Sequence, residues 1–404
     1  MKKFLYPLID NRFEKEEINA AIKVIKSKQL TISKITEKFE KRFAKFIGSK
    51  YAVMVNSGSS ANLLAVSTLC NPARSENLKS GDEVIIPGIC WSTSLWPLVQ
   101  HGLKPVFVDV DLDTLNISIK DLKKKISNKT KLIFCVHVLG NSSNMREIKE
   151  IAKKNKISII EDACEALGSK YNNKKLGTFG NLGTFSFFYS KQITSGEGGM
   201  IVCDSKNDYQ LLLSLRSHGW SRNEKDHHKK MVKLFPKLEP RFIFSNYGYN
   251  LRPLEIQAAI ANEQLSKVKK FEKNRAYNRI QIIKHLFLKN KKNTNKFFII
   301  SNAKNVKASW CGISILINKN LKKFKNKIIR EIEKSGLETR PIVCGNILNQ
   351  PAIRLFKLNK KKTYLKNCQE IEERGFYIGL NTQKSSLEKL KRISKILNNS
   401  IKKF

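Results

Sequence analysis

LGTFSFFYSKQITSGEGGMIVCD, residues 182–204, sets an apolar run, a lysine among small residues, a loop with three glycines and a second apolar run in direct succession. The two runs read as strands, and Lys191 falls where the first ends and the backbone turns sharply. Strand ends of an α/β scaffold are where side chains meet ligands. Most of the 61 lysines need no more explanation than solvated surface. A lysine between an aromatic run and a glycine loop does.

Upstream, ITEKFEKRFAKFIG (35–48) has helical spacing, YAVMVN (51–56) reads as a strand, and SSANLLAVSTL (59–69) opens the next helix. DEVIIP (82–87), KPVFVDV (104–110), KLIFCVHVLG (131–140) and ISIIED (157–162) follow as buried strands between helical or loop segments. Near-continuous apolar strands joined by helices predict an α/β fold with a large, mostly parallel sheet covered on both faces. After residue 250 the pattern changes. RPLEIQAAIANEQLSKVKKFEKNRAYNRIQIIKHLFLK (252–289) predicts one or two long helices. SWCGISILIN (309–318) is then a strand, while KFKNKIIREIEKSGLET (323–339) and SSLEKLKRISKILNNSIKKF (385–404) are helices. The expected division is a large α/β domain over 1–262, then a linker helix and small α+β domain over 263–404.

Hydrophobic residues make up 41% of the 404, which excludes a disordered chain. The formal net charge of +42 raises nucleic acid or an anionic membrane as partner. The excess is lysine, however, with only 15 arginines, and base or phosphate forks favour arginine. The lysines are scattered without a basic tail, so no specific nucleic-acid function is expected. The start, MKKFLYPLID, imitates a signal peptide until Pro7 and Asp10 break the apolar run. No stretch approaches the ~18 apolar residues of a membrane span. The eight cysteines form no C-x-x-C pair, which suggests neither zinc nor a disulfide framework but reduced thiols in the cytoplasm. The adjacent histidines of DHHKK (226–230) read as exposed loop.

Four strand ends carry unusual residues. VNSGSSANLL (55–64) is strand, small-residue turn and helix start, so the N–H groups of Gly58, Ser59 and Ser60 can cradle a phosphate; a plain helix cap explains the motif equally well. ISIIEDACEALG (157–168) brings Glu161 and Asp162 to a strand end, where a buried carboxylate needs a cationic partner, in a structural salt bridge or a ligand. PGICWSTS (87–94) offers Trp91 as a flat face, or as a core tryptophan. Ser186 precedes Lys191 on the strand that opens the quoted stretch. Phosphate cradle, aromatic plate, buried carboxylate and lysine are together what pyridoxal 5′-phosphate (PLP) requires.

At these residues the chain resembles the DegT/DnrJ/StrS family of PLP-dependent sugar aminotransferases, of the aspartate aminotransferase-type fold (fold type I). The resemblance runs from LTISKITEKFEKRFAKFIGSKYAVMVNSGSSANLLA (30–65) to GLETRPIVCGN (336–346), and GTFGNLGTFSFFYSKQITSGEGG (177–199) is its most specific element. It implies Lys191 as the catalytic, Schiff-base lysine, Ser186 as a phosphate ligand and Asp162 as the partner of the pyridine nitrogen. In NYGYNLRPLEIQAA (246–259) it implies that Asn250 reaches the cofactor phosphate of a neighbouring subunit, hence a homodimer with shared active sites. The implied substrates are an amino-acid donor and a nucleotide-linked keto-sugar. Two departures stand out. Glu165 occupies a position, near the cofactor's ring oxygen, where the family often has glutamine, and YSK replaces its proline-containing approach to the lysine. CWSTSLWPLVQHGLKPVFVDVD (90–111) and ETRPIVCGNILNQP (338–351) look most like the nucleotide-sugar 3-dehydratase branch, which has histidine at the lysine position. Retention of Lys191 favours transamination.

Overall fold

Alternate residues of the central strands pack into two different cores, which shows how this sheet is built. Val53, Ile86, Phe134 and Ile160 join one apolar cluster, whereas their chain neighbours Met54, Ile85, Ile133 and Ile159 join the other. A strand that buries both faces belongs in the middle of three layers, with helices above and below. In the computed structural model, which describes residues 4–10, 13–288, 296–359 and 362–404, this is the observed arrangement. Met1–Lys3 of the signal-like start and Lys289 of the expected long helix lie outside the described residues.

The strands in chain order are β1 (Tyr51–Val55), β2 (Glu83–Pro87), β3 (Lys104–Val108), β4 (Thr130–Val136), β5 (Ser158–Asp162), β6 (Lys170–Tyr171), β7 (Lys174–Lys175), β8 (Leu182–Ser186) and β9 (Gly199–Cys203). The seven-stranded sheet has the order β1-β9-β8-β5-β4-β2-β3. Neighbours from β8 through β5, β4 and β2 to β3 pair in parallel. β9 pairs antiparallel to both β1 and β8, so it alone runs against the rest. The reason is local: β8 and β9 are joined by the loop 187–198 without a helix, and a parallel crossover needs one. That loop carries Lys191.

β10 (Phe297–Ile299), β11 (Val306–Lys307), β12 (Gly312–Ile317), β13 (Thr339–Arg340) and β14 (Gly375–Gly379) complete the strands. An antiparallel sheet of order β10-β12-β14-β13 forms the second layer system, and β11 joins β6 and β7 in a small third sheet. One helix, Glu255–Leu288, spans the long helical segment; its 34 residues reach about 51 Å at 1.5 Å per residue. It packs against the helices Lys15–Ser27, Lys34–Ile47 and Leu387–Lys402. Arg275, near its middle, donates to the carbonyl oxygens of Gln192 (3.1 Å) and Lys191 (3.5 Å) and, through Nε, to that of Leu380 (3.2 Å) just past β14. One buried guanidinium therefore ties the lysine loop to the smaller sheet.

A second buried arginine fixes the sheet's edge. Arg216 Nη1 donates to Glu40 Oε1 (2.6 Å) and to the Met54 carbonyl (2.8 Å), while Met54 N–H donates to the same carboxylate (2.7 Å). Burial raises the Glu40 pKa despite this arginine, so the pair holds position more than it adds stability.

Candidate active site

With six strands pointing one way, the ends of β1, β2, β4, β5 and β8 and the start of β9 share one edge of the large sheet. Asp162 closes β5 and is 5% exposed. Its Oδ2 accepts from Asn62 Nδ2 (2.8 Å) and Ser94 Oγ (2.7 Å), and its Oδ1 from the Cys164 N–H (3.1 Å). Thr184 Oγ1 donates to Asn62 Oδ1 (2.6 Å) and so fixes which way that amide points. All of these donors are neutral, and no ion pair to Asp162 forms among the described residues. The expected structural partner goes instead to its neighbour. Glu161 is fully buried, bonds His137 Nε2 at 2.9 Å and accepts from the N–H groups of Gly177 (2.8 Å), Phe179 (2.5 Å) and Gly180 (2.8 Å). Burial acts to raise its pKa, yet His137 and these donors hold it below the usual carboxylate range. Asp162 is thus a buried carboxylate held in place and still open to a cation, which fits a protonated ring nitrogen.

The turn after β1 supplies the second part. Ser57 caps the helix Gly58–Leu69, its Oγ accepting from Ser60 N–H (3.0 Å). A Cβ on Gly58 would lie 2.5 Å from Ser186 Cβ and 2.8 Å from its Oγ, and one on Gly199 would lie 2.2 Å from the Ser57 carbonyl oxygen. Only glycine lets the helix start, β8 and β9 approach this closely. Ser59 Oγ donates to Thr93 Oγ1 (2.9 Å), joining the turn to the first turn of the helix after β2. An open helix N-terminus with Ser186 against it suits a phosphate. Trp91 stands at the start of the helix Ser92–Gln100 and is 56% exposed, an unburied plate rather than a core tryptophan. Thr93 and Ser94 bind its helix to Ser59 and Asp162.

Lys191 Nζ lies 3.3 Å from Glu165 Oε1, and Glu165 Oε2 accepts from the Leu139 N–H at 2.9 Å. Burial acts to lower the lysine pKa, but the Glu165 carboxylate beside it outweighs this and holds the amine above the ordinary lysine range. Without a bound group the amine is an ammonium. Gln192 reaches the Glu165 carbonyl oxygen and locks the two segments together.

Gly58, Ser59, Ser60, Trp91, Asp162, Glu165, Ser186 and Lys191 therefore gather along one edge. Asn250 does not join them within one chain: it is exposed, bridges to Ser217 and accepts from Arg252 Nε (3.0 Å). Asn62, Ser94 and Thr184 are site residues that sequence reasoning passed over. Their signal was a polar residue on an otherwise apolar, buried surface. DHHKK differs from its expectation: it lies within a helix, Lys225–Leu234, because Glu224 caps the N–H groups of Asp226 and His227. Its histidines bond Ser245 and Ser221. His218 packs edge-on against Trp220 and Glu197 is exposed; neither touches the site. Arg340 pairs with Glu338 at 2.8 Å.

The chain is 39% identical over 380 residues to the GDP-4-keto-6-deoxy-D-mannose 3-dehydratase of Escherichia coli O55:H7, covering 93% of this chain and 95% of that one. It is 34% identical to the GDP-perosamine synthase of Escherichia coli O157:H7, over 76% of this chain and 75% of that protein. The solved structure of the E. coli GDP-4-keto-6-deoxy-D-mannose-3-dehydratase with bound hydrated PLP superposes with a TM-score of 0.88 at 36% identity, covering 98% of this chain and 100% of that one. Fold type I and PLP dependence follow. The chain belongs to the DegT/DnrJ/EryC1/StrS aminotransferase family, whose family model matches residues 11–398.

Proposed function

We propose that the protein is a PLP-dependent aminotransferase that moves an amino group from glutamate, or glutamine, to a nucleotide-linked keto-sugar, for amino-sugar or surface-polysaccharide synthesis in the cytoplasm. The observation that supports this most is Lys191, at the turn after β8 and beside Glu165, at the position where the resemblance gives the dehydratase branch a histidine. Asp162 would hold the cofactor's ring nitrogen, and Gly58, Ser59, Ser60 and Ser186 its phosphate. When bound, PLP supplies an electrophilic carbon and a ring that draws electrons from the reacting bonds. The chain's own part is proton movement and exclusion of water. Lys191 Nζ takes a proton from the α-carbon of the donor and returns one to the former keto carbon of the sugar. Trp91 would cover the ring.

Overall similarity favours a second reading, a PLP-dependent 3-dehydratase, since the 3-dehydratase match is longer and more identical than the synthase match. The two readings differ in their products. GDP-4-keto-6-deoxy-D-mannose, the compound in the relatives' names, is the first substrate to offer, with PLP and glutamate. An aminotransferase returns a sugar with C=O replaced by CH–NH₂ and one 2-oxoglutarate per turnover. A dehydratase returns a 3-deoxy keto-sugar without nitrogen. Mass spectrometry of the product decides, and a nitrogen-free product overturns the first reading.

We place the active sites in a homodimer. The helix Lys15–Ser27 exposes Ile18, Ile22 and Ile25 in one stripe, and Phe242, Phe244, Tyr247 and Leu254 are exposed around Asn250. Apolar surface of this kind normally marks an interface. A second copy of the chain covers it and brings Asn250 towards the neighbouring cofactor phosphate.

A further inference from the structure

Glu165 is held at both ends. One carboxylate oxygen takes the N–H of Leu139 (2.9 Å), a buried residue with φ of 52° in the turn after β4; the other lies 3.3 Å from Lys191 Nζ. The turn therefore aims a fixed negative charge at the amine that must attach the cofactor. Glutamine, frequent here in the family, would offer the same shape without the charge. We infer that Glu165 is a positioning residue for Lys191, holding Nζ as an ammonium in the cofactor-free site so that attachment waits on release of its proton. This rests on Lys191 being the attachment point.

Attachment forms a C=N bond between Nζ and the aldehyde carbon of PLP and releases the aldehyde oxygen as water. The nitrogen needs its lone pair for this, so one proton must first leave the ammonium. Other groups also face the pair. Cys164 follows Asp162 on the β5 side, Cys311 precedes β12, and Tyr377 on β14 faces Glu165 and Cys311. Burial keeps both thiols protonated, so they carry no charge to compete with Glu165. Arg275 approaches from the long helix and donates to backbone carbonyl oxygens, those of Gln192 and Leu380 among them. An opposite charge this near shifts a pKa by roughly 1–3 units.

The test is the rate at which apo-protein takes up PLP, followed by the absorbance of the lysine-linked cofactor. It is read as a ratio to a free alkylamine, so that the cofactor's own titrations cancel. Borohydride reduction and peptide mapping then locate the attachment. The Glu165→Gln variant should attach PLP at neutral pH about tenfold faster or more than wild type, one pKa unit being tenfold in free amine. The wild-type protein decides the matter should that variant misfold: its ratio should stay level without a break up to about pH 10 and rise beyond it, where the free alkylamine has lost its proton and Lys191 has not. Attachment at Lys191 with equal rates in the two proteins, or a wild-type break below about pH 9, overturns the inference alone. Attachment at another lysine overturns the assignment of Lys191 and the inference with it.

Discussion

At the end of β5, Glu161 and Asp162 are neighbours in sequence and opposite in surroundings. Glu161 faces a histidine and three backbone N–H groups, whereas Asp162 faces an amide, a hydroxyl and one N–H. The motif alone left open which carboxylate was structural; only the register of β5 between β4 and β8 separates them. Lysine, serine and glycines were legible because each is odd where it stands. Asn62 and Thr184 were not, because a buried polar residue is noticed only once its partner across the sheet is known. Asp162→Asn is expected to bind PLP and lose turnover by about 10²–10⁴-fold, since a neutral amide cannot keep the ring nitrogen charged. Single-turnover kinetics with glutamate check it, and near-normal rates would make Asp162 a structural residue. Lys191→His should abolish net transamination, and any product it still forms should be a deoxygenated sugar without nitrogen, read by the same mass spectrometry. Histidine can move a proton but cannot attach the cofactor.

Elements were legible wherever their periodicity was carried by the chain itself. Strands β1, β2, β4 and β5 are apolar runs buried in the sheet, and the long helix came out as a single one. β13 and β14 were missed. β13 has two residues, and GFYIG in β14 offers too short a run, flanked by glycines, to stand out before β12 pairs with it. The direction of β9 was missed as well, since an apolar run does not reveal which way it points. The turn 177–180 is held by a device invisible in sequence, the Glu161 carboxylate receiving three N–H groups. Glu161→Gln should therefore destabilise the fold by about 2–4 kcal/mol, as the amide can accept at only one atom and loses the His137 partner. Denaturant unfolding at pH 7 measures this. The sign with pH follows from the lowered pKa. The carboxylate's contribution is complete above the ordinary glutamate value, about 4.3, and is lost as pH falls through its lower folded value. The gap between wild type and variant should close in acid and persist at neutral pH.

For the whole molecule the question is whether one chain makes a complete site. Asn250 is exposed, bridges to Ser217 through its backbone, follows the exposed rings of Phe242, Phe244 and Tyr247 in the chain, and its side chain bonds only Arg252 among the described residues. Whole-chain charge gave no help here, because +42 spread over lysines says little about any one face. If a partner's Asn250 completes each site, two inactive variants can repair one another. Lys191→Ala removes the reacting amine and Asn250→Ala weakens the neighbour's phosphate contact, so each homodimer carries two defective sites. In a mixed dimer both lesions fall in one site, and the other combines an intact Lys191 with an intact Asn250. Equal mixing and reassociation gives mixed dimers as half of the total, each with one good site, so activity should return to about a quarter of wild type. Sedimentation establishes the dimer, and assays before and after mixing give the recovery. A monomer in solution, or a mixture no more active than the average of its parents, would mean that each chain builds its site alone and that Asn250 serves its own subunit.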